Sequence, residues 1–214
     1  AWAADTSAPP WRELHGSAVL ADISGFTRHT EWLTYRGADG PEVLHAAICA
    51  ALTTLLGGGV HAGGDVIGFA GDSALVWFDE HDHPDHAALA VEVAARMPRD
   101  IAALPATMTG GRRLRVSVGV HTGMVQAHLV GTTQRGLFLC GPVVSRLVAL
   151  QDRAQPGQVL MSAQTAARVA PEWCAEPVGD AVAVRQRRRR PLPAGAMAEP
   201  IGRQPTLPVA CELL

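Results

Sequence analysis

Two aspartates carry the chemistry this chain suggests. Asp22 closes a short apolar run, Ser17 to Ala21, and Asp72 follows Ala70 and Gly71 between two apolar runs, Val60 to Phe69 and Ser73 to Phe78. The first pattern predicts a buried strand with a carboxylate at its end, and the second a hairpin with a carboxylate at its tip. If the first strand lies beside that hairpin, the two acids converge and repel each other. A divalent cation removes the repulsion, and hard oxygen ligands with room for phosphate oxygens suit Mg2+ or Mn2+. The residues after Asp22, namely Ile23, Ser24, Gly25, Phe26 and Thr27, would present backbone amides at a helix start, where a triphosphate can be held. Gly25 permits close approach.

The elements that must position these acids follow from periodicity and breakers. Helices are expected over Phe26 to Tyr35 and Glu42 to Leu56, the second ending at Gly57 to Gly59, and a further helix over Asp85 to Leu104. Arg113 to Val120 and Met124 to Val130 alternate as strands joined by a turn at Thr122 and Gly123. Leu137 to Cys140 is a third strand, running into a helix started by Gly141 and Pro142 and covering Val143 to Gln151. A strand at Gln158 to Met161, a helix from Ser162 to Val169 and a hairpin around Gly179 complete the core. The order predicts an α+β fold of the ferredoxin-like palm type, an antiparallel sheet with helices on one face. Residues 1–16 read as a lead-in, 17–184 as the domain, and 185–214 as an Arg/Pro-rich linker or tail.

Composition narrows the function classes. The 214 residues contain no lysine and no asparagine, so no step that needs either side chain can be supplied by this chain. The net charge of −2 includes a cluster at Arg185 and Arg187 to Arg190, and the remainder is acidic, which argues against nucleic acid as a partner. No apolar run approaches a membrane span, and the first ten residues lack a signal-peptide pattern, so a cytoplasmic location without membrane contact is expected. Cys49, Cys140, Cys174 and Cys211 show no zinc-type spacing and read as buried or free thiols. His81, Asp82, His83, Asp85 and His86 read as a solvated loop leading into a helix cap rather than a second metal site. Asp65 reads as a hairpin-surface carboxylate, and His121 as a turn or core residue.

Val19 to Thr27 (VLADISGFT), Gly63 to Phe78 (GGDVIGFAGDSALVWF), Arg113 to Val130 and Gly141 to Ser162 together resemble the catalytic domain of class III adenylyl and guanylyl cyclases. The resemblance is nearest to the bicarbonate-responsive soluble adenylyl cyclase group and its bacterial relatives with tandem cyclase domains. It implies that Asp22 and Asp72 bridge two metal ions, Mg2+ or Mn2+, with the backbone carbonyl of Ile23 as a further ligand. Amides of Ser24 to Thr27 would bind phosphates of ATP, or of GTP, for conversion to a cyclic nucleotide and pyrophosphate.

The family's remaining catalytic positions are degenerate here. Its purine-reading lysine falls on Gly68, its adenine-selecting residue on Phe138, its ribose-orienting Asn on Ser145 and its transition-state Arg on Ala149. A basic phosphate-binding position falls on Ser117, with Arg115 two residues away on the same strand face as a substitute. By resemblance the chain is the metal- and phosphate-binding half of an adenylate cyclase site, needing a second cyclase domain or a homodimer partner and inactive or very weak alone. A start at Ala1 fits an excised fragment. The alternative is a pseudocyclase, a nucleotide-binding or dimerising regulatory module without turnover. A diguanylate cyclase relative is also conceivable from Gly63, Gly64 and Asp65, but Val66 and Ile67 replace that family's Glu and Phe.

Overall fold

The computed structural model describes residues 9–25, 40–108, 111, 113–131 and 136–185. Its frame is an eight-stranded sheet. In chain order the elements are β1 (Trp11–Ser24), α1 (Gly40–His61), β2 (Asp65–Ala70), β3 (Ser73–Asp79), α2 (His86–Ala102), β4 (Arg115–Val130), β5 (Gly136–Cys140), α3 (Pro142–Arg153), β6 (Val159–Ser162), the short α4 (Ala163–Ala166), β7 (Cys174–Val178) and β8 (Ala181–Val184). The strands lie in the order β2-β3-β1-β4-β6-β8-β7, and β5 pairs with β4. Among the described strands, β4 and β6 run parallel and the other pairs antiparallel. This is the expected α+β fold of an antiparallel sheet with helices.

The sheet alternates as a two-sided layer must. On one face Val19, Ala21 and Ile23 of β1, Val76 and Phe78 of β3, and Val116, Val118 and Val120 of β4 pack on Ala51, Leu52 and Leu55 of α1 and on Ala90, Val91 and Ala94 of α2. Leu55 is fully buried there, so its truncation to alanine is expected to cost about 2–5 kcal/mol. On the other face Ala18, Trp77, Val125 and Ala127 pack on Val143 and Leu147 of α3. Helices therefore cover both faces, whereas the sequence pattern suggested one. The cause is the paired alternation of β1 and β4, both of whose faces are apolar in their central stretch.

A second difference concerns β4. Thr122 and Gly123, expected to form a turn, lie inside one strand of 16 residues paired with β1 from Trp11↔His128 to Ser24↔Arg115. Gly123 stands opposite Gly16, and a Cβ on it would come within 2.8 Å of the Val143 side chain. Gly119 is as crowded: a Cβ there would meet the Leu147 carbonyl at 2.7 Å and the Gln151 nitrogen at 2.9 Å. These glycines let α3 lie against the sheet. β1 likewise begins at Trp11, inside the segment expected as a lead-in.

Helix α1 runs on through Gly57 to Gly59, the expected stop, to His61. Contrary to the sequence expectation, its segment Glu42–His61 is by length and composition long and apolar enough to cross a membrane. Ala47, Ala51, Leu52, Leu55 and Leu56 place one side of it in the sheet's core, and 33% of the apolar window is buried. The expected helix over Phe26 to Tyr35 and the tail beyond Arg185 lie outside the described residues. Cys140 and Cys174 are free thiols, as expected, whereas Cys49 is disulfide-bonded.

Candidate functional site

The end of β1 sits between β3 and β4, and the pairing register decides which side chains meet. Asp22 stands opposite Ser73 on β3 and Ser117 on β4, and Ser24 stands opposite Arg115. Direct partners in an antiparallel ladder share a face, and so do residues two apart on one strand. Asp22, Ser24, Ser73, Arg115 and Ser117 therefore form one surface, on the side of the sheet that carries α3.

Local bonds hold this surface together. Ser73 Oγ donates to Asp22 Oδ1 at 2.6 Å, and Ser24 Oγ and Ser117 Oγ share a hydrogen bond of 2.8 Å. Asp72 lies in the two-residue turn, Gly71 and Asp72, between β2 and β3; Gly71 adopts φ 62°, a left-handed conformation that suits glycine. The backbone N–H of Ile23 donates to the Asp72 carbonyl at 3.3 Å, which ties the turn to the end of β1. The Ile23 side chain is fully buried on the opposite face and anchors the strand end.

The electrostatics give the two acids a common environment. Burial raises the pKa of Asp72 above the ordinary carboxylate value, and the negative charge of Asp22 raises it further. The charge of Asp22 thus reaches Asp72, and the two carboxylates offer hard oxygen donors of the kind that suit a divalent cation. Gly25 follows with φ 77° and an exposed backbone. Phe26 and Thr27 lie outside the described residues. Arg115 is exposed at the start of β4, on the same face as Asp22.

The positions read as degenerate are also placed. Gly68 is on β2 beside an irregularity in the β2–β3 pairing, and a Cβ there would meet nothing within 4 Å. Phe138 is 62% exposed on β5. Ser145 and Ala149 are four residues apart on an exposed side of α3. The two arginines of α3, Arg146 and Arg153, both pair with Asp180, whose carboxyl their hydrogen bonds hold down to about 2. Neither stands in for the absent arginine at 149.

The profile of the adenylate and guanylate cyclase catalytic domain family matches residues 17–190. The chain belongs to this family. The cyclase domain's fold is shared with solved structures of low identity. One is the guanylate cyclase domain of RhGC from Catenaria anguillulae in complex with GTP: TM-score 0.71, 18% identity, covering 83% of this chain and 100% of that one. Another is the guanylyl cyclase domain of the RhoGC fusion protein from Blastocladiella emersonii, a non-canonical dimer: TM-score 0.70, 18% identity, 81% and 96% coverage. A third is the adenylyl cyclase CyaB from P. aeruginosa: TM-score 0.68, 19% identity, 84% and 97% coverage. No curated relative matches the cyclase domain.

Asp65 and His121 stand as the sequence predicted, and His86 does not. Asp65 is exposed at the start of β2, the end of the hairpin away from Asp72, so it is no support for the acid pair. His121 is a core residue: its Nδ1 is 2.7 Å from Ser162 Oγ, and burial first, then the Arg146 charge, lowers its pKa to about 4. Of the loop histidines, His83 hydrogen-bonds the Gly63 carbonyl at 2.9 Å. His86 is not solvated, because it is 3% exposed at the start of α2. Sequence reasoning missed Ser73 as the partner of Asp22; only the register of β1 against β3 reveals it.

Proposed function

We propose that this cyclase domain is the metal- and phosphate-binding half of an adenylate cyclase site, converting ATP to cyclic AMP and pyrophosphate only when a complementary cyclase domain supplies the other half. The observation that carries this reading is the asymmetry of the two poles. At one, the Ile23 N–H bonds the Asp72 carbonyl and Ser73, the residue after Asp72, bonds the Asp22 carboxylate, so the two acids sit at one end of the sheet. At the other, Gly68, Phe138, Ser145 and Ala149 offer no charged group to hold a purine or stabilise a transition state.

Asp22 and Asp72, with the backbone of Ile23, would hold Mg2+ or Mn2+. When bound, the ions supply Lewis-acid polarisation of phosphate oxygens. The chain's own residues do the rest of the binding work. Ser73 orients the Asp22 carboxylate, Ser24 and Gly25 at the end of β1 would offer backbone amides to the triphosphate, and Arg115 adds a positive charge on the same face. A GTP substrate would use the same half-site, since the base is read elsewhere. The partner would be a second cyclase domain or, failing that, another copy, and a cytoplasmic setting would supply the nucleotide.

Calorimetry of the isolated chain with ATP, with and without Mn2+, tests the half-site. Binding that depends on Mn2+ and disappears in Asp22→Ala or Asp72→Ala is expected. Metal-independent ATP binding, or none at all, would favour the regulatory pseudocyclase, a reading encouraged by the same four degenerate positions.

A further inference from the structure

His15, Glu80 and His86 come from three elements, the start of β1, the residue after β3 and the first residue of α2, and converge at the end of the sheet opposite Asp22. One ligand atom from each lies within 4.8 Å of the other two. His15 Nδ1 is 2.9 Å from Glu80 Oε2, and His86 Nε2 is 3.8 Å from Glu80 Oε1. The two imidazoles meet edge to face with centroids 5.7 Å apart. A tetrahedral zinc site with bonds of about 2.0–2.1 Å sets its ligand atoms about 3.3 Å apart, in the range seen here.

Three further observations point to an ion. Among the described residues, His15 Nδ1 is the buried side-chain nitrogen or oxygen left without a hydrogen bond, although Glu80 Oε2 lies 2.9 Å away. The other ring nitrogen of His86 is already engaged, with Nδ1 2.9 Å from Ser17 Oγ. Ser17 in turn shares a 2.6 Å bond with Thr122, and Thr122 accepts one of 3.1 Å from Thr165. A ligating histidine characteristically has its second nitrogen fixed by such a partner. Finally, Glu80 is half exposed and borders a cavity lined by Pro84, Asp85, His86 and Arg168, which gives an entry path and a fourth coordination position. The Arg168 charge in the cavity lining opposes a cation, and the carboxylates of Glu80, Asp79 and Asp85 outnumber it.

We propose that His15, Glu80 and His86 form a zinc-class metal site, separate from the Asp22 and Asp72 pair, which clamps the loop before α2 to the start of β1. Two imidazoles and one carboxylate select a borderline ion such as Zn2+ over Mg2+. Seven residues of extended strand, about 23 Å, separate His15 from Asp22, so the two sites bind independently. The bound ion replaces contacts between unbonded acceptors with bonds to metal, and stabilises the fold by mass action.

The test uses the full chain, stripped with EDTA and titrated with Co2+ in excess Mg2+. One equivalent is expected to bind with a visible d–d band, to be displaced by Zn2+, and to persist in the Asp22→Asn/Asp72→Asn double variant. His15→Ala and Glu80→Gln should each weaken binding at least tenfold, and Ser17→Ala about tenfold, as loss of an orienting partner does. No uptake, uptake indifferent to both His15→Ala and Glu80→Gln, or uptake lost in the double aspartate variant would each overturn the proposal. Glu80 is half exposed, so its glutamine variant remains a folded control if His15→Ala does not, as circular dichroism will show.

Discussion

Asp22 accepts a 2.6 Å hydrogen bond from Ser73, the residue directly after Asp72, so the acid at the end of β1 is tied to the base of the turn that carries the other acid. This contact sets the direction of one carboxylate while leaving its second oxygen available. It also keeps two like charges near each other, which the fold alone does not favour.

Neutralising one acid should therefore separate binding from stability. Asp72→Asn is expected to weaken Mn2+ binding at least tenfold, while the metal-free protein melts at the same temperature or slightly higher at pH 7. Calorimetry and thermal unfolding in EDTA check the two halves.

The pH dependence has a definite sign. The folded-state pKa of Asp72 is raised by burial and by Asp22, so as pH rises through the window between its unfolded and folded values, this group makes a falling contribution to metal-free stability. Metal binding needs the ionised form, so Mn2+ affinity should fall as pH drops through the raised value, and in that range binding should release protons. Titrations in buffers of different ionisation enthalpy would measure that proton.

His121 predicts the opposite slope. Its folded-state pKa, lowered to about 4 from an unfolded value near 6.5, means that the unfolded chain takes up a proton first. The stability contributed is complete above about pH 6.5 and is lost as pH falls toward 4. In His121→Gln, the drop in denaturation midpoint between pH 7 and pH 5 should be smaller, the buried His86 supplying the remaining part of the slope.

Glycines on the sheet give a steric pair. Gly119→Ala would drive a methyl group into the backbone of α3 and is expected to cost about 1–3 kcal/mol or more. Gly68→Ala meets open space and should stay within about 1 kcal/mol of the parent in urea unfolding.

How much of this was legible in the sequence depends on the range of the cause. Asp22 and Asp72 stand beside local breakers, Ser24–Gly25 and Gly71, and those signals sufficed to place them at a strand end and a hairpin tip. The continuity of β4 was hidden because Gly123 serves helix packing rather than a turn, and its reason, Val143, lies twenty residues further on. Ser73 and Ser117 could not be read as the neighbours of Asp22, because register between strands is a long-range property. The cluster of His15, Glu80 and His86 was hidden for the same reason: His86 sat in a tract whose local pattern was that of a solvated loop. The family was legible because its motifs are local, and the matching profile spans residues 17–190.

The most direct test of the account mixes this chain with a cyclase domain that carries the purine-reading Lys, the Asn and the transition-state Arg, and follows cyclic AMP formed from MnATP. Little or no product is expected from either domain alone, robust product from the pair, and its loss when Asp22→Ala or Asp72→Ala is used. Comparable turnover by the isolated chain, or a folded pair whose activity is indifferent to both aspartates, would contradict it.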